Sequence, residues 1–295
     1  MSKCIICGQE IDKECEEHII PYALGNKHFI IRSVCKTCNS LMGEKIDAEI
    51  TDSLSGKIVR SQYGIKGHSK KEPNPFKEGE TSDGDRIRLS PDFKPKLVPK
   101  VTRDENVYHI STSSKEEALD IIKKIYLRNV KKTLTEEQKE ILCTQMKRTQ
   151  TYPEIQFHFE FNIEKFYLEL VKVAFETLYY QEGEKILLEE SILNLQKILH
   201  DYIYKEQYDK ELIEGIIGLP SENDSKDIDE RLSDLKKQLS EQVVHLIYVL
   251  SINNELIVLS NVEGMLKGAV KIPVKDSNNY KTKMYFICYP SGNIL

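Results

Sequence analysis

The sequence predicts an α+β fold: a small cysteine-rich N-terminal module, then a larger domain of helices closed by a C-terminal antiparallel β-meander. Three observations carry that expectation. Four of the seven cysteines form two Cys-x-x-Cys pairs, Cys4/Cys7 and Cys35/Cys38. Between residues 114 and 206, apolar side chains recur with the period of helices. From Val243 onward the chain breaks into β-rich runs separated by turn residues.

Residues 1–60 form the cysteine module. Ile19 and Ile20 suit a strand end, Pro21 stops it, and Gly25 permits a turn back toward Ile30, Ile31 and Val34. Beyond Cys38, Asn39–Leu54 reads as a helix with Leu41, Met42, Ile46, Ile50 and Leu54 inward. Residues 61–105 read as a connector, because five prolines fall between residues 73 and 99 among Gly, Asp, Ser and Lys. Short strands fit there at Arg86–Leu89 and Leu97–Thr102.

Residues 106–295 make up the α+β domain. Ser114–Val130 and Thr135–Lys147 are helices, each opened by a capping signal: Ser114 with Glu117, and Thr135 with Gln138. Glu154–Asn162 alternates and is rich in Phe, which suits a strand. Glu164–Gln181 is a helix with a wide apolar surface, and Ser191–Glu206 is another. Residues 221–230 read as a polar loop ahead of a helix over Asp227–Gln242. Val243–Ile252, Glu255–Asn261, Met265–Pro273 and Lys281–Tyr289 are the meander strands.

Composition narrows the function classes. With 40% hydrophobic and 30% charged residues the chain is that of a globular protein, not a disordered or fibrous one. No apolar run approaches the ~18 residues that span a bilayer, so no membrane partner is expected. The N-terminus lacks the apolar core of a secretory signal. Cysteines spaced for metal and not for disulfides point the same way, to the cytoplasm. The net charge of −5 is uneven: residues 1–100 hold 17 basic and 15 acidic side chains, the remainder 25 and 32. A nucleic-acid contact therefore belongs near the N-terminal module.

Each two-residue gap lets both sulfurs of a tight turn point at one ion, and Zn²⁺ favours four thiolates in tetrahedral geometry. A module this short buries too little apolar surface to fold unaided, so the ion supplies the missing stability. Four cysteine ligands close the coordination shell, which makes this zinc structural. Asn39 and Asp47 lie eight residues apart, hence about 12 Å along a helix. They cannot ligate one ion together. Asn39 can brace the hairpin, and Asp47 can meet Glu17 across the gap between hairpin and helix.

The two cysteine pairs, the run Glu17-His18-Ile19-Ile20-Pro21 with Leu24-Gly25, and Cys35-Lys36-Thr37-Cys38-Asn39 with Gly43 and Ile46-Asp47 together resemble the HNH nucleases. Their fold is a ββα-metal module carrying a four-cysteine zinc. The resemblance implies a DNA endonuclease, a phosphodiester hydrolase, with RNA left open as substrate. It implies His18 as general base, Asn39 as structural asparagine, and Glu17 and Asp47 as ligands of a catalytic Mg²⁺ or Mn²⁺. Many members have His or Asn where this chain offers Asp47. Neutral imidazole suits proton removal from water at physiological pH. Lys45, Arg32 and Arg60 are the candidate phosphate contacts. Residues 106–295 are left for recognition, regulation or self-association, as in two-part nucleases of bacterial phage defence. The competing expectation is a zinc-ribbon module that binds nucleic acid without cutting it.

Overall fold

The computed structural model describes residues 2–67, 70–90, 94–105, 107–149, 152 and 154–295, so parts of the expected 61–105 connector lie outside the described residues. Ile19, Ile20, Leu24, Phe29, Met42 and Ile46 are wholly buried. Their own short segment cannot cover them, and the cover comes from far along the chain.

Strand β1 (Glu17–His18) pairs antiparallel with β2 (Ile30–Ile31), His18 facing Ile30 across the ladder. Helix α1 (Lys36–Met42) continues through a π-helical turn at Gly43–Asp47 into α2 (Ala48–Thr51). The expected helix Asn39–Leu54 thus begins earlier and stops at Thr51. Ser53 accepts from the Gly56 amide and opens α3 (Leu54–Gln62). Gly56 is required there, since a Cβ would sit 2.0 Å from the Ile50 carbonyl oxygen.

Next come β3 (Glu78–Thr81), β4 (Arg86–Leu89), β5 (Pro95–Leu97), β6 (Lys100–Asp104), β7 (Val107–Ser111), α4 (Lys115–Val130), α5 (Glu136–Gln145) and β8 (Ile155–Gln156). They form a β5-β4-β3-β8 sheet, a β6-β7 hairpin and two helices. Ser114 caps α4, and Thr135 with Gln138 forms the full capping box of α5. Of the expected strand Glu154–Asn162, the paired part is Ile155–Gln156. Phe157 and Phe159 instead gather around Phe76, at 5.3 and 6.2 Å between centroids. Ring packing there takes the place of a longer ladder.

The remainder contains α6 (Ile163–Glu182), α7 (Glu190–Lys205), α8 (Lys210–Ile216), β9 (Ile217–Gly218), α9 (Glu222–Leu239), β10 (Val243–Ile252), β11 (Glu255–Val262), β12 (Leu266–Pro273) and β13 (Lys283–Tyr289). The polar stretch 221–230, expected as a loop, is the start of α9: Ser221 accepts from the Asp224 amide and caps it. Strands β10, β11 and β12 make the expected meander, in the order β13-β10-β11-β12-β9. The outer edge of β12 is already paired with β9, so β13 finds its partner in β10. Alternation along β10 sends Ile247 and Val249 into the main core and Val244 toward Leu232 of α9.

Helix α6 is the keel of that core. Residues 168 to 178 are buried without interruption, so the helix is covered on every side. At Gly268 it lies directly on β12, where a Cβ would come 2.5 Å from Leu170 Cδ1. The same apolar cluster joins Cys4, Ile19, Phe29 and Met42 to Leu168, Phe175, Leu199, Val258 and Ile287. Accordingly the compact units are cut differently from the sequence division at 60 and 105: residues 1–73 and 160–295 form one unit, and 74–159 form the other. The nuclease-like module has no core of its own and shares one with the C-terminal half. No described helix is long and apolar enough to cross a membrane.

Candidate active site

Cys4 and Cys7 lie on a tight turn closed by Gly8 N donating to Cys4 O and Cys4 N donating to Gln9 O, both 2.8 Å. Cys35 is the N-cap of α1 and Cys38 sits in its first turn. The four sulfurs lie within 4.8 Å of one another. All four cysteines are free of disulfides. Cys7 Sγ and Cys35 Sγ are 3.8 Å apart, which matches the ~3.8 Å edge of a tetrahedron with Zn–S bonds of ~2.3 Å. The donor set fits zinc. With protons alone the sulfurs compete: a hydrogen bond from Cys38 pulls Cys4 down to about 4, while Cys38 is pushed far up, chiefly by Cys4. A divalent cation relieves that competition. From α7, Tyr204 Oη lies 3.4 Å from Cys38 Sγ and Gln196 donates to Ile5 O at 2.6 Å, so the clamp leans on the C-terminal half.

The hairpin loop is held by a residue the sequence reading did not single out. Asn26, wholly buried, donates to Ile20 O and Phe29 O at 2.7 and 2.9 Å and accepts from Phe29 N at 2.9 Å. Asn39 Nδ2 donates to Glu16 O at 2.8 Å, tying α1 to the residue just before β1. His18 is half-buried on β1, its ring edge-on to Tyr22 at 5.4 Å.

Glu17 and Asp47 do meet, but around a lysine. Lys172 Nζ of α6 lies 3.0 Å from Glu17 Oε1 and 2.8 Å from Asp47 Oδ1, and donates to His18 O at 3.1 Å. Glu176 Oε2 is 3.8 Å from the same nitrogen. Asp47 Oδ1 is close enough for an ion pair yet lacks an aligned hydrogen bond, and we read the contact as electrostatic. Both oxygens of Glu169 and of Glu176 are buried without hydrogen-bond partners. Burial pushes Glu17 up to about 7 and Glu169 and Glu176 well above the carboxylate range. For Lys172, burial is the largest single influence and lowers it, but Asp47, Glu17, Glu176 and Glu169 together hold it well above its usual value. The ammonium is charged. As a seat for Mg²⁺ or Mn²⁺ the pair Glu17–Asp47 therefore does not fit, because its meeting point already holds a cation.

The expected phosphate contacts are largely engaged elsewhere. Arg60 is buried, donating to Thr51 O at 3.1 Å with Asp52 at 3.6 Å, and is a structural brace. Lys45 pairs with Glu206 at 3.0 Å. Arg32 pairs with Glu16 at 2.7 Å and remains exposed, where such a pair is weak and readily exchanged.

Lys172, Glu169 and Glu176 were invisible as site residues in the sequence. Their spacing of three and four along a helix is the signature of a solvated stripe, and tertiary cover alone puts them inside.

No curated protein and no solved structure matches the chain. Residues 4–55 match the family model for HNH endonuclease, and the four cysteines of that segment, Cys4, Cys7, Cys35 and Cys38, cluster in the structure.

Proposed function

We propose that the chain is a cytoplasmic endonuclease that hydrolyses DNA phosphodiester bonds with His18 as general base. The observation that carries this reading is the placement of His18: half-buried on β1, its strand fixed by Asn39 on one side and Lys172 on the other. An imidazole so held can take a proton from water without losing its orientation. Divalent ions are the usual cofactor of HNH nucleases, so activity is assayed with added Mg²⁺ or Mn²⁺. Zinc on Cys4, Cys7, Cys35 and Cys38 then holds hairpin to helix. The scaffold role falls to residues 160–295, and the recognition, regulatory or oligomerising role expected of 106–295 passes to 74–159. A regulated effector of the kind found in phage defence suits that division.

The non-cleaving alternative draws support from one observation, the lysine between Glu17 and Asp47. Incubating supercoiled plasmid and a single-stranded RNA with the zinc-loaded protein and each divalent ion separates the two. Conversion of plasmid to nicked or linear form supports the nuclease. Retardation of plasmid without strand breaks under every ion supports the binding module.

A further inference from the structure

The acidic pocket behind the hairpin contains a cation supplied by the chain itself. We propose that Lys172 is the fixed cation of the nuclease centre, standing where an ion bridging Glu17 and Asp47 would sit, so that no divalent ion binds this pair while the lysine is present. The proposal rests on the nuclease reading above and moves the edge of the centre from residue 55 to α6.

Geometry carries it first. Two carboxylate oxygens, Glu17 Oε1 and Asp47 Oδ1, lie 3.0 and 2.8 Å from Nζ as ion pairs, and Nζ donates to His18 O at 3.1 Å. A divalent ion linking both carboxylates at ligand distances of about 2.0–2.6 Å would need the same point. The two cations exclude each other. The lysine is also enclosed. Its side chain is 0% exposed, and it sits mid-way along a helix buried continuously from 168 to 178. Charge carries it second. Carboxyl oxygens of Glu17, Asp47 and Glu176 lie 3.0, 2.8 and 3.8 Å from the ammonium, and the oxygens of Glu169 and Glu176 are buried without a hydrogen-bond partner. Without Lys172 the Glu17 and Asp47 oxygens that now pair with it would lose their cation, and hard oxygens are the donor type that selects Mg²⁺ or Mn²⁺.

The test uses the full zinc-loaded chain and Mn²⁺ as probe, with free Mn²⁺ followed by electron paramagnetic resonance. Wild type is compared first with Asp47→Asn, chosen because the Asp47 side chain is 16% exposed and the amide keeps its shape. If Lys172 is the resident cation, Mn²⁺ affinity is equal in the two proteins. A loss of about tenfold or more, the scale on which a metal site responds to loss of a supporting group, makes Asp47 a ligand and overturns the proposal. Second, Lys172→Met vacates the pocket. That variant should gain an Mn²⁺-dependent rise in Tm that is absent from wild type and abolished in Lys172→Met/Asp47→Asn. A folded Lys172→Met protein whose Tm ignores Mn²⁺ overturns the proposal as well. Should Lys172→Met fail to fold, the Asp47→Asn comparison decides alone. All readouts are binding and stability, so failure of plasmid cleavage would sink the nuclease reading and leave these results standing.

Discussion

His245 links the C-terminal sheet to the hairpin loop through a single hydrogen bond, and its proton gives a measurable stability signature. The ring is 1% exposed on β10, with Nε2 2.9 Å from Leu24 O. A carbonyl only accepts, so Nε2 carries the proton and donates, while Nδ1 is buried without a partner. Protonating Nδ1 would bury an unsatisfied charge, and burial holds the imidazole at about 4 against an ordinary value of 6.5. The folded pKa is depressed, so the unfolded chain takes up the proton first. Stability is then complete above about pH 6.5 and falls as pH drops toward about 4. Between pH 7 and pH 4.5 the loss from this group is about 2.4 kcal/mol, from ~1.4 kcal/mol per pKa unit. Urea unfolding of wild type and His245→Gln at both pH values isolates it, because glutamine donates to Leu24 and does not titrate. The variant should be the less stable at pH 7, and the gap should narrow by about 2 kcal/mol at pH 4.5. A gap that stays constant with pH would mean that folding does not depress the His245 pKa.

Other consequences are equally direct. Metal analysis should find about one zinc per chain, and Cys38→Ser should cost about 4 kcal/mol or more by urea unfolding, as losses of a structural metal do. Phe29, wholly buried with Tyr180 at 4.8 Å and Tyr285 at 5.2 Å between centroids, ties the hairpin to the core. Phe29→Ala should cost about 3–5 kcal/mol in the same assay. Arg60→Ala should lower stability by about 1–3 kcal/mol while DNA affinity, read by fluorescence anisotropy, stays unchanged. A fall in affinity with unaltered stability would restore Arg60 as a phosphate contact.

What the sequence revealed was what is local. Cys-x-x-Cys spacing fixes sulfur geometry within one turn, so Cys4, Cys7, Cys35 and Cys38 were readable, as were the caps at Ser114 and Thr135. Asn39 was readable because it adjoins the second pair. Asn26 was not, since its three hydrogen bonds close a loop whose shape no spacing announces. Glu17 and Asp47 both reach the same lysine, but that cation comes from α6, and nothing near residue 17 signals it. The compact units differ from the division at residues 60 and 105 for a similar reason. The module's apolar residues look like a small core, yet they are one face of a larger core completed after residue 160. Pairing of β13 with β10 is likewise a long-range choice that no local pattern announces.

The central claim is that His18 is the general base of a DNA endonuclease. Its most direct test is the first-order rate of supercoiled plasmid scission in Mg²⁺ or Mn²⁺ by wild type and by a His18→Ala protein matched in zinc content and Tm. Wild type should cut and the variant should be slower by about 10²–10⁴-fold, the usual contribution of a positioned base. Equal rates for the two proteins would contradict it.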